Sequence, residues 1–234
     1  MQGWKLGEHS AYSKTCAWET DTRVPLIARV PWAPASLRGQ RSNELVEMVD
    51  FFPSTSELMG LEPPPDETLD GHSFASLFST SPAWAKRAAF SQHPRCWKCK
   101  RSEADTTPAC TALPVAGTPW VDAGDWECLG DAKKNETRSS ITAMGMTMRT
   151  RDWRYTEWRL WLPDQLEADW GAAALLATEM YDHRTNTGVG PAAFDEHEFV
   201  NVASSAAHAQ QRATLAASLQ AQFGGVSGLS AGSG

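Results

Sequence analysis

Two neighbouring segments late in the chain alternate apolar and polar residues, and this pattern constrains the fold more than any other feature. The segments are 143–150 and 153–161, and a two-residue turn, Arg151 and Asp152, separates them. Alternation with a period of two is typical of strands, and so short a connection is typical of a β-hairpin. The sequence therefore predicts an antiparallel sheet here, with a further short strand at 178–182 and a terminal helix at 202–223 packed against the sheet.

The first ninety residues show a different pattern. An apolar, β-branched run bounded by prolines at 22–32 predicts a buried strand. Apolar residues with three-to-four spacing predict a helix over 43–60, interrupted at Pro53 and ended by Gly60. Two shorter elements are predicted after it, a helix at 73–79 and a strand at 87–92.

A long stretch between these parts, 93–138, has no periodic pattern and is expected to be a loop. Four of the five cysteines lie in it: Cys96, Cys99, Cys110 and Cys128. The first two have the spacing of half a zinc site, whereas the last two are too far apart to be a second such pair. A small zinc-dependent module and a loop held by two disulfides, with Cys16 left over, both remain open.

Charge and hydropathy exclude two classes of partner. The net charge of −7 and the pI of about 5.4 argue against nucleic acid, whose phosphates need a basic surface. We expect no membrane span, because no apolar run reaches the roughly 18 residues that one requires. The chain has eleven Trp residues, and such large rings need either a core or a binding cleft to cover them.

Ordered blocks along the chain resemble motifs of the type I sulfatases, in particular those of the iduronate-2-sulfatase branch. Residues 2–14 resemble a family segment in which Asp, then His or Asn, precede GWxLGEH, four further residues and a Lys. The later blocks are 24–27 (VPLI), 47–54 (EMVDFFPS), 69–73 (LDGHS), 91–95 (SQHPR), 146–150 (MTMRT), 153–158 (WRYTEW) and 179–185 (EMYDHRT). The resemblance spans residues 2–203, apart from the insertion at 96–138.

This resemblance implies that the chain is the C-terminal portion of such an enzyme, with an α/β fold. Residues 1–90 would form the C-terminal part of an alkaline-phosphatase-like α/β/α sandwich. Residues 91–223 would form a small α+β subdomain with an antiparallel sheet and the irregular insertion 96–138, and 224–234 a flexible tail. A sandwich without its central strands exposes apolar edges, so we expect poor solubility or a partner such as the missing N-terminal portion.

The implied activity is hydrolysis of glycan sulfate esters. In the family, a Cys in a Cys-x-Pro-Ser-Arg motif becomes the formylglycine nucleophile, and adjacent Asp residues hold a divalent cation, typically calcium. None of the five cysteines lies in such a motif, so we expect the chain to be inactive alone. The family's late metal-binding Asp falls at Met1, and Gln2 replaces its neighbour. An amide carbonyl can bind a hard cation but adds no charge, so an incomplete metal site with Gln2 at its edge is expected.

Four further residues are candidates for the site, each with a structural alternative. Lys14 contacts sulfate by resemblance, and its point charge suits the sulfuryl oxygens, unless it is merely a solvated lysine. His9, beside Glu8, can orient the pocket or relay a proton, or be held structurally by its neighbours. Trp4 can stack on a sugar face or pack in the core. Arg95 can bind a uronate carboxylate or lie on the surface.

Two functions remain open from the sequence. The chain is part of a sulfuric ester hydrolase acting on a sulfated glycan or small sulfate ester, or it is a non-catalytic relative that binds sulfated or acidic glycans through Lys14, Arg95 and exposed tryptophans. A complete family member is expected to be lysosomal or secreted. The pairs His183–Arg184 and His197–Glu198 are interpreted as turn and surface residues rather than metal ligands.

Overall fold

A computed structural model describes residues 3–10, 12–13, 16–62, 69–84, 86–95, 143–185 and 198–224. Its strands and α-helices are, in chain order, β1 (Lys5–Leu6), β2 (Tyr12–Ser13), α1 (Glu19–Thr22), α2 (Phe51–Leu58), β3 (Ala88–Arg95), β4 (Ala143–Thr150), β5 (Trp153–Leu162), β6 (Glu167–Ala168), β7 (Leu175–Asp182) and α3 (Ala209–Phe223). Short 3₁₀ helices lie at Glu8–Ser10, Ala35–Leu37, Met48–Asp50, Ala75–Phe78, Ala172–Ala174 and Ala206–His208. The predicted cysteine-containing insertion and the predicted tail beyond Gly224 lie outside the described residues.

The chain divides into two compact units. One unit joins Met1–Val24 to Ser91–Gly234, and the other is Pro25–Phe90. The N-terminal residues thus belong with the later part of the chain, although 66 residues of the other unit intervene in the sequence. The interpretation of 1–90 and 91–223 as two parts of a sulfatase stays a prediction.

An antiparallel sheet forms the larger unit. Its strand order is β3-β4-β5-β6, and β7 also pairs with β5. The predicted hairpin is confirmed, with Thr147 opposite Thr156 across β4 and β5. The strands predicted at 87–92 and 178–182 are present as β3 and β7, and both are longer than predicted. The sheet is therefore the part of the fold that the alternating pattern predicts best.

Both faces of strand β5 are covered. On one face, Trp158 lies over Gly145, where an added Cβ would come within 2.9 Å of the indole ring. A residue larger than glycine would therefore displace that ring. Helix α3, the predicted terminal helix, packs against β4 and β5 and buries Leu215 and Leu219. The core of this unit thus lies on both sides of the central strand.

The hairpin of β1 and β2 buries a charged side chain and exposes apolar ones. Lys5 is 1% exposed and forms a 3.0 Å ion pair with Asp21, whereas Leu6 and Tyr12, which are paired across the hairpin, are 73% and 71% exposed. Gly3 lies against α1, because an added Cβ would be 1.7 Å from the Thr20 carbonyl oxygen. The buried ion pair and this close approach hold the hairpin against α1.

The unit Pro25–Phe90 is organised around a buried aspartate. Asp50 accepts hydrogen bonds from the backbone N–H of Glu47 (2.8 Å) and of His72 (3.0 Å), and from Lys86 Nζ (2.6 Å). Ser54 Oγ accepts the backbone N–H of Phe74 at 2.8 Å. Residues 47–54 and 69–73, two of the blocks that resemble sulfatases, therefore lie against each other in this unit.

Two predictions for this region need correction. The buried strand predicted at 22–32 is wrong: residues 23–30 have no regular structure, and Ile27 is 92% exposed. Pro25 and Pro31 have no backbone N–H to donate to a neighbouring strand, and no described strand pairs with this segment. The helix predicted over 43–60 begins later, as α2 at Phe51, and a 3₁₀ helix, Met48–Asp50, whose start is capped by Glu47 and Asp50, precedes it.

Pro53 does not interrupt this helix, because it lies in the first turn, where its missing N–H is not needed. Gly60 follows the helix with a positive φ of 69°, in agreement with the predicted end. No helix within the described ranges is both long and apolar enough to cross a membrane.

Candidate functional site

The structure describes two of the five predicted site residues in full. Gln2 and Lys14 lie outside the described residues, and for Arg95 the backbone alone is described, at the end of β3. Trp4 is 62% exposed, so its ring is open to solvent. His9 lies in the connection between β1 and β2. The proposed roles of all five residues remain predictions.

The imidazole of His9 contacts two aromatic rings. It stacks on the Trp18 indole with a centroid distance of 3.8 Å and an interplanar angle of 4°. The Phe199 ring is 5.0 Å away and tilted by 50°. His9 also has a positive φ of 54°, an uncommon conformation for a residue with a side chain, which the surrounding structure must stabilise. These contacts fix the plane of the imidazole.

Glu19, which follows Trp18 in the chain, belongs to a mostly buried set of charged side chains, here called the Arg154 network: Glu19, Arg149, Arg154, His183 and Glu198. Arg154 donates from Nε to Glu198 Oε1 and from Nη2 to Glu19 Oε2, both at 2.6 Å. Arg149 Nε donates to the same Glu19 oxygen at 3.0 Å. His183 Nε2 lies 2.7 Å from Glu198 Oε1. The two carboxylates thus share one central guanidinium.

The charges in the network change the ionisation of Glu19. Burial by itself raises the pKa of this carboxyl, but the positive charges of Arg154 and Arg149 outweigh burial and hold the pKa at about 2, below its ordinary 4.5. Burial by itself lowers the pKa of Arg154, but the negative charges of Glu198 and Glu19 outweigh burial and raise the pKa above its usual value. Glu19 and Arg154 therefore stay ionised across the neutral and mildly acidic range.

Three members of this network have donor atoms at metal-site spacing. Atoms of Glu19, His183 and Glu198 all lie within 4.8 Å of one another. Their mixture of imidazole and carboxylate suits zinc better than calcium, which prefers oxygen ligands alone. However, Glu19 Oε2 and Glu198 Oε1 already accept hydrogen bonds from Arg154. A divalent cation would have to displace that guanidinium, so the arrangement fits a neutralised ion network rather than an occupied metal centre.

This cluster corrects one interpretation from the sequence. His183 and Glu198, expected at turns and on the surface, are 1% and 0% exposed. Their charged partner Arg154 belongs to a strand that is buried on both faces, where a charge needs a counter-charge. The arginine in the alternating pattern at 153–161 was the signal that could have indicated buried acids elsewhere. His197 lies outside the described residues.

Cys16 is a free cysteine among the described residues. Burial raises the pKa of its thiol to about 12, so little thiolate forms near neutral pH. Cys96, Cys99, Cys110 and Cys128 lie outside the described residues, and the choice between zinc and disulfides stays open.

Sequence comparisons relate this chain to sulfatases. Human iduronate 2-sulfatase is 28% identical over 197 residues, which cover 76% of this chain and 34% of that protein. Mouse iduronate 2-sulfatase is 25% identical over 219 residues, with the same coverage of both chains. A sulfatase of Formosa agariphila is 35% identical over 60 residues, or 26% of this chain and 11% of that protein. No family model matches the chain.

These relatives assign the chain to a class. It is a relative of the sulfatases, and the resemblance noted in its motifs is confirmed. The chain spans about a third of the length of the iduronate 2-sulfatases that it matches.

Proposed function

We propose that the chain is part of a sulfuric ester hydrolase, which in its complete form removes sulfate from glycan sulfate esters. The relation to two iduronate 2-sulfatases over most of this chain is the observation that carries the proposal. The finer fold assignment, the C-terminal part of an alkaline-phosphatase-like sandwich with a small α+β subdomain, belongs to the same proposal. The antiparallel sheet and its helices are compatible with it.

The β1–β2 hairpin supports the proposed location of the substrate. Lys5 pairs with Ser13, the residue immediately before Lys14, and His9 lies in the connection between the two strands. Trp4, at the start of the hairpin, presents an exposed amphipathic ring of the kind that can stack on a sugar. We assign sulfate binding to Lys14, orientation or proton relay to His9, and sugar contacts to Trp4 and Arg95.

The complete enzyme would add a divalent cation, which we propose to be calcium. Such a cation would supply positive charge for the sulfuryl oxygens of the substrate. Gln2 is the residue of this chain that we place at the edge of the metal site. Its uncharged carbonyl needs carboxylates from other residues to hold the ion.

A binding experiment on the chain alone tests the role of Lys14. In an NMR titration with inorganic sulfate, we expect Lys14→Ala to abolish saturable shifts and Arg184→Ala to preserve them. Arg184 is a suitable control, because it is an exposed cation paired with Asp182. Saturable binding that survives Lys14→Ala would exclude Lys14 as the sulfate contact.

An activity assay tests the account of the nucleophile. With an artificial aryl sulfate we expect no turnover by the chain alone, because none of its cysteines lies in the Cys-x-Pro-Ser-Arg motif. Turnover that persists after further purification would show that this account is wrong.

The second candidate is a non-catalytic relative that binds sulfated glycans, and it must account for the same cysteine pattern as the hydrolase. The coding sequence upstream of Met1 distinguishes the two functions. An open frame that encodes the cysteine motif supports the hydrolase, and the earlier portion of that enzyme would then be the partner of this chain. A genuine start without that motif supports the binding protein.

A further inference from the structure

Residues 17–19 are held by the sheet and by the segment that follows it. Arg154 Nη1 donates to the carbonyl oxygen of Ala17 at 2.9 Å, and the backbone N–H of Glu19 donates to Glu198 Oε2 at 2.8 Å. Between them, Trp18 Nε1 donates to Glu179 Oε2 at 3.0 Å. Hydrogen bonds to charged groups are stronger than neutral ones, so three consecutive residues are fixed by charged side chains.

Glu179, which accepts the hydrogen bond of the Trp18 indole, is held by three hydrogen-bond donors. Glu179 is buried in β7 and accepts a hydrogen bond from Trp158 Nε1 at 2.6 Å and from Tyr181 Oη at 2.7 Å, besides the bond from Trp18. All three donors are uncharged, and burial together with the Glu179 charge raises the pKa of Tyr181. Tyr181 therefore keeps its proton, and the carboxylate is held by two indoles and a phenol.

The other side of the Trp18 indole faces His9. The two rings are parallel within 4° at 3.8 Å, so movement of the indole would move the surface on which the imidazole lies. Trp18 is buried, whereas His9 is half-buried. The imidazole thus stacks on an indole whose Nε1–H is bonded to the buried Glu179.

We propose that Glu179 is a positioning residue: through the hydrogen bond to Trp18 it sets the orientation of the His9 imidazole. This inference rests on the proposed function, in which His9 orients the pocket or relays a proton at the sulfate site. A proton relay requires that the ring nitrogens keep a fixed direction, because proton transfer depends on hydrogen-bond geometry. Glu179 supplies that constraint without contacting the substrate.

The experiment follows the His9 ring protons by NMR in the intact chain, with the resonance assigned from its loss in His9→Gln. A stacked indole shifts these protons upfield, and Trp18→Leu gives the value without stacking. We expect Glu179→Ala to move the His9 resonance most of the way to the Trp18→Leu value. Tyr181→Phe is the matched control, since it removes another donor of Glu179 and should leave the His9 resonance in place.

Glu179→Gln is a second variant, because Glu179→Ala leaves three buried donors without a partner and can prevent folding. Glutamine offers one acceptor oxygen in place of two, so we expect an intermediate His9 shift in a folded protein. A folded Glu179 variant with the wild-type His9 shift would overturn the proposal. Loss of folding in both variants would also count against it, because a purely structural role would then explain the residue.

A sulfate titration of the wild-type chain keeps this proposal separate from the proposed function. If sulfate does not perturb the region of His9 but Glu179→Ala still shifts the ring, the proposed site is wrong and the positioning contact stands. If sulfate binds near His9 and the ring is insensitive to Glu179, the site stands and the positioning role falls.

Discussion

Each of the two compact units buries a charged residue, and the partners of these two residues lie at different distances along the chain. Arg154 reaches Glu198 and Glu19 across 44 and 135 residues. Asp50 reaches the backbone of Glu47 across 3 residues, that of His72 across 22 and Lys86 across 36. The first centre joins remote segments through charged side chains, and the second fixes a local helix start largely through backbone amides.

This difference predicts how each unit responds when its centre is removed. Without Arg154, the carboxylates of Glu19 and Glu198 lose the guanidinium that neutralises them inside the protein. Of the three groups that donate to Asp50, two are neutral backbone amides, which do not depend on the charge of their acceptor. An uncompensated buried charge costs more than an unpaired amide, so the Arg154 centre should be the more sensitive one.

The largest effect is expected from Arg154→Leu. We predict a loss of about 4 kcal/mol in the free energy of unfolding, because two buried carboxylates lose their main counter-charge. Urea denaturation followed by circular dichroism measures it. Arg184→Leu is the control, since that exposed arginine pairs with Asp182 in contact with solvent and should contribute little to stability. Equal losses in the two variants would mean that the network contributes no more to the free energy of unfolding than a surface ion pair does.

The acid dependence of the same network is the second test. Glu19 has a folded pKa of about 2 against an ordinary 4.5, so its ionised form is favoured in the folded protein. Its stabilising contribution, about 3 kcal/mol, is complete above pH 4.5 and is lost as the pH falls towards 2. We expect the stability difference between wild type and Glu19→Gln to shrink over that interval. A difference that does not change with pH would contradict the depressed pKa.

Asp50→Asn tests the other unit, with an expected loss of about 2 kcal/mol. Asparagine keeps one acceptor oxygen for a backbone amide but removes the charge that faces Lys86. A double-mutant cycle with Lys86→Met isolates that pair from the amide contacts. If Asp50→Asn costs as much as Arg154→Leu, the proposed distinction between the two centres fails.

The same distinction explains how far the sequence predicts the structure. The β4–β5 hairpin and the end of the helix before Gly60 follow from alternation and from turn residues, which are local signals. The Arg154 network was missed, because its members lie on segments whose approach depends on the whole fold. For the candidate site, the spacing between His9 and Lys14 indicates the motif, but the role proposed for Glu179 depends on its hydrogen bond to Trp18, which lies 161 residues away in the chain.

The smallest expected effect concerns the segment where the strand prediction is wrong. Ile27 is 92% exposed, so Ile27→Ser should change the free energy of unfolding by less than about 0.5 kcal/mol. Phe74→Ser, at a buried position of the same unit, is the matched control and should cost several times more. A loss above about 1 kcal/mol for Ile27→Ser would show that the segment is buried in solution. That result would favour the strand that the apolar, β-branched run at 22–32 predicts.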